Sequence, residues 1–155
     1  PKVQVCKERM LSINPDVKTE ARQCFYLPEK ASEFDFASYD YVVDAVDNVT
    51  AKIDIICNAR TSGVPVISSM GTGNKLDPTM FKIADIEETR VCPLAKVVRK
   101  ELRKRGVSGV KVLYSEEEPR KPLSDDTRTP ASISFVPSCA GLIIAGRVVL
   151  DILKM

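Results

Sequence analysis

The chain has 155 residues, 44% of them apolar and 28% charged, enough for one domain with a buried core and too apolar for a chain disordered throughout. Lysine and arginine total 23 against 21 acidic residues, so the net charge of +2 does not by itself mark a polynucleotide binder, and any basic surface must be local. There is no histidine, and Cys6, Cys24, Cys57, Cys92 and Cys139 stand far apart without a Cys-x-x-Cys pair, which argues against histidine-based triads, a zinc site or a disulfide framework and for reduced thiols in the cytoplasm.

The opening PKVQVCKERM carries charges and no long apolar core, unlike a signal peptide. Val3, Val5, Met10, Leu11 and Ile13 recur at mixed helical spacing until Asn14-Pro15, where the residue before proline disfavours the α region. A helix is therefore predicted over residues 2–13. Residues 17–25 alternate loosely and read as a strand, and a polar stretch with room for a short helix follows. Residues 41–45 form a compact apolar run, as expected of a strand covered on both faces. From Asn48 the period changes: Val49, Ile53, Ile56 and Cys57 make an apolar stripe on a helix that Gly63 ends.

VPVIS, residues 64–68, supplies the next strand, and the strand, helix, strand order implies a right-handed parallel crossover. Residues 81–85 read as a further strand. Pro93 opens a helix through Arg105 with Gly106 just past its end, and residues 111–114 are a short strand. Residues 115–132, charged and rich in proline, are expected to form an exposed loop or crossover. A C-terminal helix covers residues 138–154. Its apolar run GLIIAGRVVLDIL contains Arg147 and Asp151 and falls short of the roughly 20 residues of a membrane span, so it is expected to be a buried helix and no membrane partner is expected. The whole is read as one α/β domain over residues 1–155, a mostly parallel sheet flanked by helices.

Several features carry chemistry. GTGNKL, residues 71–76, follows a strand as a dinucleotide fingerprint would, but Leu76 replaces the third glycine and Asp77-Pro78 stands where a helix should continue. It reads as a glycine turn. DAVDN, residues 44–48, is better placed, because ligands of open α/β sheets bind beyond the carboxyl ends of strands and Asp47 falls at such an end. A carboxylate there can hold Mg²⁺ on nucleotide phosphates, since that ion usually takes one or two oxygens from protein. Asp47 or Asn48 can equally cap the helix. Spacing alone leaves both readings open, while Asp44, one step back in the strand, reads as structural.

The helix PLAKVVRKELRKR puts Leu94, Val98 and Leu102 on one side and Lys96, Arg99, Lys100, Arg103 and Lys104 on the other. The basic side is either a solvated face or a surface for polynucleotide phosphates. Cys139 is predicted in the first turn of the last helix, where free N–H groups and the helix dipole activate a thiol as a nucleophile or sulfur acceptor; a packing role is the other reading. Ala140, Gly141, Ala145 and Gly146 in that helix permit close contact with a second subunit or with the chain's own core.

Taken together, PKV, INPDV, YVVDAVDNVTAK, GVPVISSMGTGNKLDPTMFKIADI, CPLAKVVRKELRKRG and FVPSCAGLIIAG resemble the ThiF, MoeB and HesA superfamily of ubiquitin-activating-enzyme-like adenylyltransferases over essentially the whole chain. LDPT…IADI combined with CPLAK…R is similar to its branch of tRNA threonylcarbamoyladenosine dehydratases. The resemblance implies a Rossmann-like fold and a site for ATP and Mg²⁺ served by Lys2 and Asp47, with Asn48 beside them. Cys139 matches a family cysteine for which sulfur-transfer or thioester chemistry has been considered. The implied reaction is adenylation of the threonylcarbamoyl carboxylate on a tRNA adenosine, followed by ring closure with net loss of water. The basic helix would face tRNA; a homodimer and a sulfur-transfer protein are the other expected partners.

The family's glycine-rich nucleotide loop and the arginine after it lie upstream of the lysine and are absent. The chain is therefore expected to be the C-terminal part of a longer enzyme, inactive by itself, its sheet lacking the N-terminal nucleotide-binding βα units. The paired Cys-x-x-Cys motifs of the MoeB and ThiF branches are missing as well, which favours the dehydratase branch. Two alternatives remain at this stage: adenylation of the C-terminus of a ubiquitin-like sulfur carrier, and a non-catalytic binding or dimerisation domain.

Overall fold

A computed structural model of the chain describes residues 1–121 and 130–155. Helix α1 (Lys2–Ile13) stops where Asn14-Pro15 requires, with Asn14 extended at φ −136° and ψ 102°. None of its residues is buried. Strand β1 (Val42–Asp44) leads into α2 (Val49–Thr61), which ends before Gly63 at φ 71°. Next come β2 (Val66–Ser69), β3 (Phe81–Asp85), α3 (Pro93–Lys104), β4 (Lys111–Ser115) and α4 (Phe135–Ile152).

The sheet runs in the order β1-β2-β4-β3, with β1/β2 and β2/β4 parallel and β3 antiparallel on β4 at the edge. Successive side chains of a strand point to opposite faces, and helices cover both. Val66 and Val112 pack with Ile53 and Ile56 of α2 and Val98 and Leu102 of α3 on one face. Ile67 and Leu113 pack with Val136, Ala140 and Ile144 of α4 on the other. This is the expected α/β sheet flanked by helices.

Three expectations need correction. Residues 17–25 hold no strand. A strand needs a neighbour for its N–H and C=O groups, and among the described residues the sheet ends at β1, which pairs with β2 alone. Side chains hold the segment instead: the Tyr26 hydroxyl donates to Asp54 at 2.6 Å, and the Arg22 guanidinium lies 4.9 Å from the centre of the Phe34 ring. Short 3₁₀ turns at Pro28–Glu33 and Phe36–Ser38 follow.

The second correction concerns the start of α4, three residues before the predicted position 138. Pro137 does not precede the helix but lies within its first turn, where a missing N–H costs nothing. The third is its burial. The expected buried helix is buried along one stripe only, and it leaves Leu142, Val149 and Leu153 exposed, Leu142 at 73%. By length and composition alone α4 also matches a short membrane span, a test that core helices of soluble proteins pass too.

Candidate active site

Two loops leave the carboxyl ends of the parallel strands β1 and β2, where open α/β sheets place their ligands. The first is DAVDN. Asp44 closes β1 at 1% exposure; its Oδ1 accepts from Val46 N at 3.1 Å, an Asx turn that bends the chain away from the strand. Its Oδ2 accepts from Lys52 Nζ at 2.7 Å and from the Ser68 hydroxyl. Lys52, itself at 0% exposure, also donates to Ser69 O at 2.9 Å and Ser68 Oγ at 3.3 Å. Each buried charge is thus paired and bonded, the condition for tolerating it in a core.

Asn48 caps α2, its Oδ1 accepting from Ala51 N at 3.0 Å. The cap is therefore Asn48, not Asp47. Asp47 is exposed, and among the described residues no hydrogen bond or ion pair engages its carboxylate. Among the described residues no group of three or more His, Cys, Asp or Glu is arranged for a metal. A lone carboxylate fits Mg²⁺ carried on a nucleotide, with phosphates and water filling the other positions, and does not fit an all-protein cage.

The second loop follows β2. Asn74 is left-handed at φ 59° and bonds residue 131 twice, its N donating to Ala131 O at 2.7 Å and its Oδ1 accepting from Ala131 N at 2.9 Å. Gly73 is required by proximity, since a Cβ there would meet Pro130 Cβ at 2.7 Å. Lys75, at 3% exposure, donates to Glu117 O, and burial holds its pKa below the ordinary lysine value.

Glu117 lies just beyond β4 and accepts from Leu76 N at 3.0 Å and Asp77 N at 2.9 Å. Burial pushes its carboxyl up, but those two N–H groups and the charges of Lys75 and Arg120 outweigh it and leave it below the ordinary glutamate value. Sequence reasoning missed Glu117, which falls within the expected exposed loop 115–132. In the structure Ser115 and Glu117 are buried, and residues 122–129 lie outside the described residues.

The remaining site candidates are dispersed. Lys2 is exposed at the start of α1, and no hydrogen bond or ion pair joins it to Asp47 among the described residues. On α3 most of the basic face is already matched. Arg99 donates to Ile86 O, Thr89 O and Thr89 Oγ1 at 3.2, 2.9 and 2.7 Å, Arg103 pairs with Glu87, and Lys104 pairs with Glu101 at 2.6 Å. Lys96 and Lys100 are left exposed without a carboxylate partner among the described residues.

Cys139 is half-exposed and is the fifth residue of α4, because the helix begins at Phe135. It lies past the free N–H groups of the first turn, so the expected activation by them does not apply. A cleft of about 300 Å³ beside Cys92, Lys96 and Arg99 and one of about 360 Å³ beside Asp85, Lys111 and Arg147 contain no residue of DAVDN or GTGNKL.

Comparison with known proteins follows the same lines. The chain is 43% identical, over 99% of its length and 66% of the relative's, to tRNA threonylcarbamoyladenosine dehydratase of Bacillus subtilis. It superposes on the Escherichia coli tRNA N6-threonylcarbamoyladenosine dehydratase in complex with AMP with a TM-score of 0.88 and 26% identity, covering 99% of this chain and 64% of that one. For the complex with ATP the TM-score is 0.73 and the identity 27%, covering 95% of this chain and 65% of the other. The chain thus spans about two thirds of the length of these relatives. The ThiF family matches residues 1–155 from end to end, and the chain belongs to that family.

Proposed function

We propose that this chain carries the metal-binding half of an ATP-dependent enzyme that adenylates and cyclises threonylcarbamoyladenosine in tRNA. One observation carries the reading: in DAVDN and the start of α2 the side chains of Asp44, Asn48 and Lys52 are all engaged in holding the turn and the helix, whereas the exposed Asp47 carboxylate has no hydrogen bond or ion pair among the described residues. Relatives named as tRNA threonylcarbamoyladenosine dehydratases, and a relative solved with ATP and with AMP, support the choice of substrate and nucleotide.

In this reading Asp47 would hold Mg²⁺ carried on ATP, with Asn48 next to it in the chain, and the Lys2 ammonium would supply positive charge toward the nucleotide phosphates. The ion neutralises phosphate charge when bound. A carboxylate oxygen of the substrate attacks the α-phosphorus and pyrophosphate leaves. An atom of the same threonylcarbamoyl group then attacks the activated carbonyl, AMP departs with the former carboxylate oxygen, and one proton is lost. Lys96 and Lys100, more than Arg99, Arg103 and Lys104, face tRNA. The exposed stripe of α4 takes a second subunit, Cys139 is reserved for a sulfur-transfer partner, and the enzyme works in the cytoplasm.

The test is mass spectrometry of digested tRNA after incubation of the complete protein with ATP and Mg²⁺. Cyclic threonylcarbamoyladenosine is expected with the wild type, and a loss of about 100-fold with Asp47→Asn, the scale of removing one charge-stabilising group. No cyclic product from the wild type would remove the reading. Stimulation of ATP–pyrophosphate exchange by a ubiquitin-like carrier and not by modified tRNA would transfer it to the sulfur-carrier alternative.

A further inference from the structure

Lys52 lies on the same stripe of α2 as Val49, Ile53 and Ile56, yet it carries an ammonium into the core. Its Nζ reaches acceptors on two strands: Asp44 at the carboxyl end of β1, and Ser68 and Ser69 at the carboxyl end of β2. Such a pair is a poor route to stability, because desolvating two ions offsets much of their attraction and apolar residues of similar volume often serve as well. What it supplies is geometry. The bond to Asp44 closes residues 44–52 into a ring that contains Asp47, and the Val46 and Ala51 N–H bonds brace that ring internally. The bond to Ser69 O fixes the same ammonium to the last residue of β2, from which the glycine loop departs.

We infer that Lys52 is a positioning residue that locks the DAVDN turn and the glycine loop at residues 71–74 to one another, setting the spacing between Asp47 and that loop before any ligand arrives. The inference rests on the reading of Asp47 as the carboxylate for nucleotide-bound metal. Lys52 is too deeply buried to touch a ligand, so it acts through Asp44 and Ser69. Asp44 by itself reaches β2 only at the Ser68 hydroxyl, whereas the ammonium also holds Ser69 O, the residue from which the glycine loop departs.

The test compares the wild-type chain with the double variant Asp44→Asn/Lys52→Met. No unpaired charge remains in its core, and methionine follows the aliphatic path of the lysine. Amide hydrogen exchange is measured by NMR at residues 46–48 and 71–74, with Val112 and Leu113 of β4 as the internal reference. Both loops are expected to exchange several-fold faster in the variant, and together, while β4 is unchanged. Acceleration of the turn alone, of neither loop, or of β4 to the same degree would overturn the inference.

A second readout, in the complete protein, uses Mn²⁺ with ATP, followed by paramagnetic broadening near Asp47. The double variant is expected to bind Mn²⁺ about 10- to 100-fold more weakly, the usual effect of losing an outer-shell partner. Unchanged Mn²⁺ affinity in the face of loosened loops would overturn the positioning role. Absence of broadening in the wild type would instead overturn the metal reading of Asp47, and the exchange comparison would still decide whether Lys52 couples the loops.

Discussion

Changing Lys52 by itself is a different experiment from changing the pair. Lys52→Met alone leaves the Asp44 carboxylate buried beside only Ser68 and the Val46 N–H, and is expected to destabilise the fold by about 3–5 kcal/mol. Urea unfolding of the single and double variants checks this, with most of the loss recovered in the double. Asn48→Ala removes a helix cap without stranding a charge and is expected to cost about 1 kcal/mol by the same measurement. These residues also show how much of the site was legible. Pattern places Asp47 near a strand end and leaves open whether it or Asn48 caps α2; the cap bond lies on Asn48. Lys52 did carry a signal, a lysine three residues after Val49 on an apolar stripe, although periodicity alone cannot name the acceptors that make its burial tolerable.

At the scale of elements, α4 is held to the sheet by Asp151, which accepts from Tyr41 next to β1, from Lys111 of β4 and from Arg147 of its own helix. Burial pushes the Asp151 carboxyl up, but these donors outweigh it and hold it well below the ordinary aspartate value. A depressed carboxyl stabilises the fold fully above its unfolded pKa and loses that contribution as pH falls through the folded value. The contribution of Asp151 is therefore expected to fade below about pH 4. Fluorescence of Tyr41 against pH checks this, and Asp151→Asn should remove that acid-dependent step. Periodicity marks α2, α3 and the sheet strands because each buries one stripe or face, whereas α1 buries no residue and its end is marked by Asn14-Pro15. It erred at residues 17–25, where loose alternation had no ladder partner, and at Pro137, which a helix accommodates in its first turn.

For the whole molecule, basic charge is less available than composition suggests, because Arg99, Arg103 and Lys104 are occupied within the chain. Lys96→Ala/Lys100→Ala is expected to weaken tRNA binding without regard to sequence and to reduce the slope of log affinity against log salt by about 2, whereas Arg103→Ala changes that slope less. Filter binding across a salt series separates the two. The central claim, that Asp47 serves ATP and its metal, is tested most directly by Mg²⁺-dependent ATP–pyrophosphate exchange in the complete protein in the presence of threonylcarbamoyladenosine-bearing tRNA. The expected result is exchange by the wild type that falls about 100-fold in Asp47→Asn; exchange that survives the substitution unchanged would contradict the account.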